Sequence, residues 1–328
     1  MSNDEEYDDE KPPTYIPNPK IEVNPEKILE HPPEYFDANS WKFVICNKTF
    51  SRDLNVFVSA DSIDKYRAFR KAKADKSPIG VSRYANELQL AGIGVPLLKV
   101  QVHPFHFNKF LTIQKYYIDH KSFPLRGFDP KVDFYDFCKV QRYRQGSYTT
   151  YELCFTPDPN DKQKNFQVVV FAHKTLPISD YIYKGNRYRW VREGRKWSFE
   201  YNYSNFLLDP EQHSLTDNWD RKTNRLDTTL DPNNPLIGGG FMSKLFSTTT
   251  DRERYYSSIQ LGSLRELNKF ILFGEYKQRA QYTMGDIYNS ANDYVNYESI
   301  DSVNLDALSM LCTGLLFKRE EDVKDLQT

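Results

Sequence analysis

At 328 residues the chain has room for one large or two modest domains with a sizeable core. No apolar run reaches the roughly 18 residues a spanning helix needs, which excludes an integral helical membrane protein. The net charge of −1 conceals a split: six of the 45 acids fall in residues 1–10, and the mildly basic remainder falls short of a dedicated nucleic-acid binder.

Residues 1–38 are polar, Pro-rich and poor in aliphatics, so a disordered leader is expected. Within it, Pro12-Pro13-Thr14-Tyr15 and Pro32-Pro33-Glu34-Tyr35 both read Pro-Pro-x-Tyr. Paired prolines hold an extended polyproline II conformation that loses little entropy on docking into an aromatic-lined groove. The tyrosine two positions later supplies a second anchor. Each motif resembles the ligand of WW domains, above all those of HECT-type ubiquitin ligases. The resemblance implies that Pro12, Pro13, Tyr15, Pro32, Pro33 and Tyr35 bind such a ligase. The alternative is a Pro-rich spacer whose tyrosines pack on the domain.

From Trp41 the pattern changes, and 23 Tyr and 22 Phe shift the expectation toward sheet. Twelve short segments read as strands: Lys42–Cys46, Leu54–Val58, Pro96–Val102, Lys109–Ile118, Phe134–Arg142, Tyr148–Phe155, Phe166–His173, Arg187–Arg192, Arg195–Tyr203, Tyr255–Leu261, Lys269–Tyr276 and Arg279–Met284. A turn cluster over Thr156–Asp161 makes a hairpin of the sixth and seventh. Residues 62–73 read as a helix with Ile63, Tyr66 and Phe69 as its buried stripe. The basic group on it (Lys65, Arg67, Arg70, Lys71, Lys73 and Lys76) fits a solvated outer face better than a membrane-surface helix. Residues 205–254, polar and carrying Gly238-Gly239-Gly240, read as a long loop.

Residues 302–317 break the strand pattern. They read as a helix, capped by Asp301 or Ser302 and closed by Lys318-Arg319, with Leu305, Leu308, Met310, Leu311, Leu315, Leu316 and Phe317 on every side. A helix apolar nearly all round must be buried nearly all round. At 1.5 Å per residue it spans about 24 Å, the height of a small barrel rather than a bilayer. About a dozen strands fit a sandwich or a barrel, and such a helix is expected to be threaded through, or covered by, a closed β-sheet. The domain would cover residues 39–322, with a short tail at 323–328.

This combination resembles the tubby C-terminal-like superfamily, which includes phospholipid scramblases and the LURP-one-related proteins, over about residues 41–320. The resemblance implies a mainly β fold, a closed barrel of about twelve strands around the hydrophobic C-terminal helix. Some scramblases also carry Pro-Pro-x-Tyr leaders. No Asp-rich, Gly-centred calcium loop is present, so scramblase activity is not carried over.

One segment of the domain stands out electrostatically. Lys184, Arg187, Arg189, Arg192, Arg195 and Lys196 face one acid, Glu193, across residues 184–197. With Glu193-Gly194 as a two-residue turn, Trp190 would face Trp197, Tyr188 would face Phe199, and Arg187 would meet Glu200. Cations on an aromatic stem suit phosphate head groups, and the tubby-like resemblance implies phosphoinositide binding. The alternative is a solvated hairpin. Catalytic patterns are missing: the sequence holds no GxSxG, P-loop, HExxH or dinucleotide fingerprint. His103 and His106 lack partners for a metal set, and no cofactor is expected. The widely spaced cysteines (Cys46, Cys138, Cys154, Cys312) and the lack of a visible signal peptide suggest a reducing cytoplasm. The sequence thus points to a non-enzymatic ligase adaptor, cytoplasmic and peripheral at the plasma or endosomal membrane, whose barrel binds anionic lipid or protein cargo. A scramblase-like lipid-handling protein and an arrestin-like trafficking adaptor are the alternatives.

Overall fold

The computed structural model describes residues 41–48, 53–74, 87–103, 109–117, 132–193, 201–237, 253–284 and 299–325. Both Pro-Pro-x-Tyr motifs lie outside these residues, as do Arg195 and Lys196. Twelve strands close into one antiparallel barrel. In chain order they begin β1 (Trp41–Lys48), β2 (Leu54–Phe57), β3 (Leu98–Val102), β4 (Lys109–Tyr116), β5 (Phe134–Arg144) and β6 (Tyr148–Phe155). They continue with β7 (Phe166–His173), β8 (Ile178–Tyr183), β9 (Asn186–Glu193) and β10 (Asn202–Leu207). A small outer ribbon, β11 (Trp219–Asp220) and β12 (Arg225–Leu226), precedes β13 (Ile259–Phe273) and β14 (Tyr276–Met284). Each barrel strand pairs with its neighbour in sequence, apart from the ribbon inserted between β10 and β13, and β14 closes on β1. Full closure removes the sheet edges that would otherwise invite aggregation.

Two helices complete the fold: α1 (Ala60–Ala74) and α2 (Leu305–Asp325). The residues of α2 from Asp306 to Arg319 are buried on every face. Its side chains meet strands from around the barrel. Trp190 of β9 donates to Thr313 at 3.0 Å, Tyr181 of β8 to Met310 at 2.8 Å, and Arg142 of β5 pairs with Glu320 at 3.3 Å. Gly314 passes so close to Tyr282 of β14 that an added Cβ would lie 3.4 Å from its ring. A helix touched from β5, β8, β9 and β14 runs through the lumen.

The helix is longer than the sequence suggests. Asn304, not Asp301 or Ser302, caps it by accepting from the Ala307 backbone N–H, because Ser299 and Ile300–Ser302 form a separate 3-10 turn. At the other end Lys318 bonds Asp322 one turn on, while Arg142 and Arg192 hold Glu320 and Glu321, so the helix continues to Asp325. Its 21 residues span about 32 Å and take in the first half of the expected tail.

Strand positions differ from expectation in three places. The segment Ile178–Tyr183 is a strand whose polar Asp180 hides it in the sequence. Residues 259–273 form one strand rather than parts of two, and the expected Arg195–Tyr203 strand sits at Asn202–Leu207. The expected long loop is largely ordered between 208 and 237, where it contributes Leu215 and Leu236 to a second core outside the barrel. That cover explains why β7 reads as a continuous apolar run: Val168 and Val170 face the lumen, while Val169 and Phe171 face the outer cluster.

Leu311 is fully buried at the middle of α2. Leu311→Ala should cost about 2–5 kcal/mol and leave a soluble, folded protein. Leu311→Asp places an unpaired charge in the lumen and should abolish folding. Urea denaturation followed by circular dichroism checks both. An aspartate variant with the wild-type transition would mean that the helix is peripheral.

Candidate functional site

The tight turn of the basic segment falls at Lys184-Gly185, not Glu193-Gly194. Tyr183 pairs with Asn186, and both turn residues have positive φ, 48° and 80°. This is the backbone of a two-residue hairpin, and Gly185 adopts it without strain. The β9–β10 register follows from the longer connection after Glu193: Trp190 lies opposite Asn205 rather than Trp197, and Tyr188 opposite Leu207 rather than Phe199.

The cations then separate by strand alternation. Tyr188, Trp190 and Arg192 point into the barrel, while Arg187 and Arg189 point out. Arg192 pairs with the buried Glu321 of α2 at 3.0 Å, and Tyr203 donates to the same carboxylate at 2.6 Å. Burial and this carboxylate hold the Tyr203 phenol well above its ordinary range. At the opposite end of the helix, Lys184 pairs with Asp306 at 2.7 Å, and Tyr183 donates to Asp306 at the same distance. The first turn of a helix favours such an acid.

The outward arginines clamp the insertion onto the wall. Arg187 donates to the carbonyls of Asp209, Pro210 and Gln212 and meets Asp217 at 3.0 Å, where Glu200 was expected. Arg189 forms a bidentate pair with Asp180 at 2.7 and 2.8 Å and donates to the His213 carbonyl. Asp180 also accepts from the Leu215 backbone and the Ser214 hydroxyl. Burial works against the Arg189 charge, yet Asp180 outweighs it and raises the pKa. Lys184, Arg187, Arg189 and Arg192 are therefore each engaged by groups of the fold, and the expected register with its turn at Glu193-Gly194 is corrected, while Arg195 and Lys196 lie outside the described residues.

Two other clusters deserve placing. His213, Asp217 and Asp231 bring one ligand atom each within 4.8 Å of one another, but Asp217 already serves Arg187 and the Ser214 backbone. His103 bonds Thr112 at 2.9 Å, and His106 lies outside the described residues.

The most open polar surface lies beside α1. Ile63 and Tyr66 pack with Val44, Cys46, Phe57 and Tyr276 on the outer wall, so the apolar stripe is buried as expected. Phe69 reaches the main core. On the other face, Asp64, Arg67, Ala68, Arg70 and Lys71 border a shallow cleft of about 470 Å³ closed by Glu275. Glu275 sits on the β13–β14 turn, 2.9 Å from Arg70 and 3.7 Å from Arg67. Gly274 has φ +59°, which favours glycine, and a Cβ there would lie 2.3 Å from the Arg67 guanidinium, which would have to swing away. Just before this turn, Ile271 and Leu272 are 49% and 58% exposed. The sequence marked the α1 cations as a solvated basic face but did not bring Glu275 to them, because it comes from a distant segment.

Arg189→Met leaves Asp180 buried without its cation and should destabilise the protein by about 3–5 kcal/mol. Chemical denaturation measures the loss, and limited proteolysis should cut first within 208–237. An unchanged midpoint would show that the clamp contributes nothing.

No curated protein and no solved structure matches the chain. A family model described as DIA1 matches residues 38–326, which spans the whole barrel and its helix. The chain belongs to the DIA1 family.

Proposed function

We propose that this protein is a non-enzymatic adaptor. Its leader recruits a WW-domain, HECT-type ubiquitin ligase through Pro12-Pro13-Thr14-Tyr15 and Pro32-Pro33-Glu34-Tyr35, and its barrel engages an anionic membrane surface or a protein cargo. The observation that carries the reading is the pair of motifs at a spacing of 20 residues. The filled barrel supports it: α2 occupies the lumen, so a partner must be met on the outer wall. A single closed barrel around a helix also favours the tubby-like resemblance over the paired β-sandwiches of an arrestin-like adaptor.

A flexible segment of 20 residues has an r.m.s. span of about 25 Å. Two WW domains of one ligase can then engage together, and effective concentration raises the avidity. Affinity capture from a lysate with wild-type protein, Tyr15→Ala, Tyr35→Ala and the double variant tests this. Each single change should weaken ligase capture about tenfold or more, and the double change should abolish it. Undiminished capture by the double variant would overturn the ligase reading.

A further inference from the structure

We infer that the β13–β14 ribbon and the outer face of α1 form a docking surface for an anionic bilayer, with Ile271 and Leu272 entering the headgroup layer. This rests on the proposed membrane engagement of the barrel and gives it a location. Successive strand residues point to opposite faces, yet Ile271 and Leu272 are both about half exposed. Side chains on both faces of the ribbon therefore reach solvent here, and the β13–β14 register shifts between Glu266 and Ile271. Among the described residues, the large exposed hydrophobics are Tyr117, Val132, Leu230, Ile271 and Leu272, and only the last two are adjacent.

Charge complementarity selects the occupant. Beside the β13–β14 turn that carries this aliphatic pair, Arg67, Arg70 and Lys71 of α1 border the cleft that Glu275 closes, with Lys277 opposite Leu272 and the exposed Arg279 two residues on. Over α1 and this turn, Lys65, Arg67, Arg70, Lys71, Lys277 and Arg279 stand against the carboxylates of Asp61, Asp64 and Glu275. Arg67 and Arg70 share Glu275 and keep more than a third of their side-chain surface in solvent. A protruding aliphatic tip beside a cationic face matches the amphipathic layering of an anionic membrane interface. A peptide or protein groove would not need the excess of positive charge.

The test is sedimentation of the full chain with vesicles of phosphatidylcholine, with and without phosphatidylserine, over a salt series. Wild-type protein should bind the phosphatidylserine vesicles, stay in solution with the neutral ones, and lose binding as salt shortens the Debye length. Ile271→Asp/Leu272→Asp and Lys71→Glu/Arg279→Glu should each lower the bound fraction about tenfold. Leu230→Asp, the same change at another exposed aliphatic, should bind as wild type. If the aspartate pair fails to fold, Ile271→Ser/Leu272→Ser replaces it. A wild-type chain that ignores anionic vesicles, or an aspartate pair that still binds them, would overturn the inference. So would equal binding to neutral vesicles. Ligase capture by the ribbon variants, measured without vesicles, should match wild type, so a failed membrane contact and a failed ligase motif are read apart.

Discussion

A helix that is apolar on all sides has few places to go, and here it fills a closed barrel. The lumen of twelve strands is wide enough to need filling, and α2 supplies Leu308, Met310, Leu311, Leu315, Leu316 and Phe317 to inward aromatics from the wall. Trp190 lies 5.5 Å from Phe317, and Tyr203 stacks on the same ring at 5.1 Å. Neither part is stable alone: the empty barrel would be a cavity, and the free helix would expose apolar surface all round. The polar groups at the two ends fix the depth of insertion. Asp306 is held by Tyr183 and Lys184 at one end, and Glu320 and Glu321 by Arg142, Arg192 and Tyr203 at the other.

Once the lumen is full, function belongs to the outer wall. Part of that wall is itself covered, by the 208–237 segment on β7 to β10 and by α1 on β1, β2 and β14. The covers have different electrostatics. The insertion is locked by Arg187 and Arg189, whose donors are spent on its carbonyls and on Asp180 and Asp217. The outer face of α1 keeps its cations at the surface, next to the aliphatic tip of the β13–β14 ribbon. A run of basic residues along a strand alternates between two environments, so sequence proximity in residues 184–192 did not make a spatial cluster. Arg67, Arg70 and Lys71 and the distant Glu275 did share one cleft.

The barrel and its buried helix were legible because they depend on composition over long stretches: twelve aromatic-rich runs and one helix apolar all round. Details set by single tertiary pairs were not. Asp180 interrupts the apolar pattern of β8 and is tolerated only because Arg189 faces it. The β9–β10 register depends on a connection after Glu193, while the Lys184-Gly185 pair that makes the tight turn sits one hairpin earlier. The end of α2 reads as charged tail until Lys318 finds Asp322 and Glu321 finds Arg192. The two Pro-Pro-x-Tyr motifs are local four-residue patterns, readable without any fold, whereas the proposed membrane surface needs the fold to assemble it.

Everything on the outer wall presupposes that α2 and the barrel are one cooperative unit. Native-state hydrogen exchange resolved along the chain measures this directly. Amides of residues 308–317 should exchange only through global unfolding, with the same free energy as those of β8, β9 and β10. Exchange of the helix through a cheaper opening, with the strands still protected, would contradict a lumen that the helix holds together.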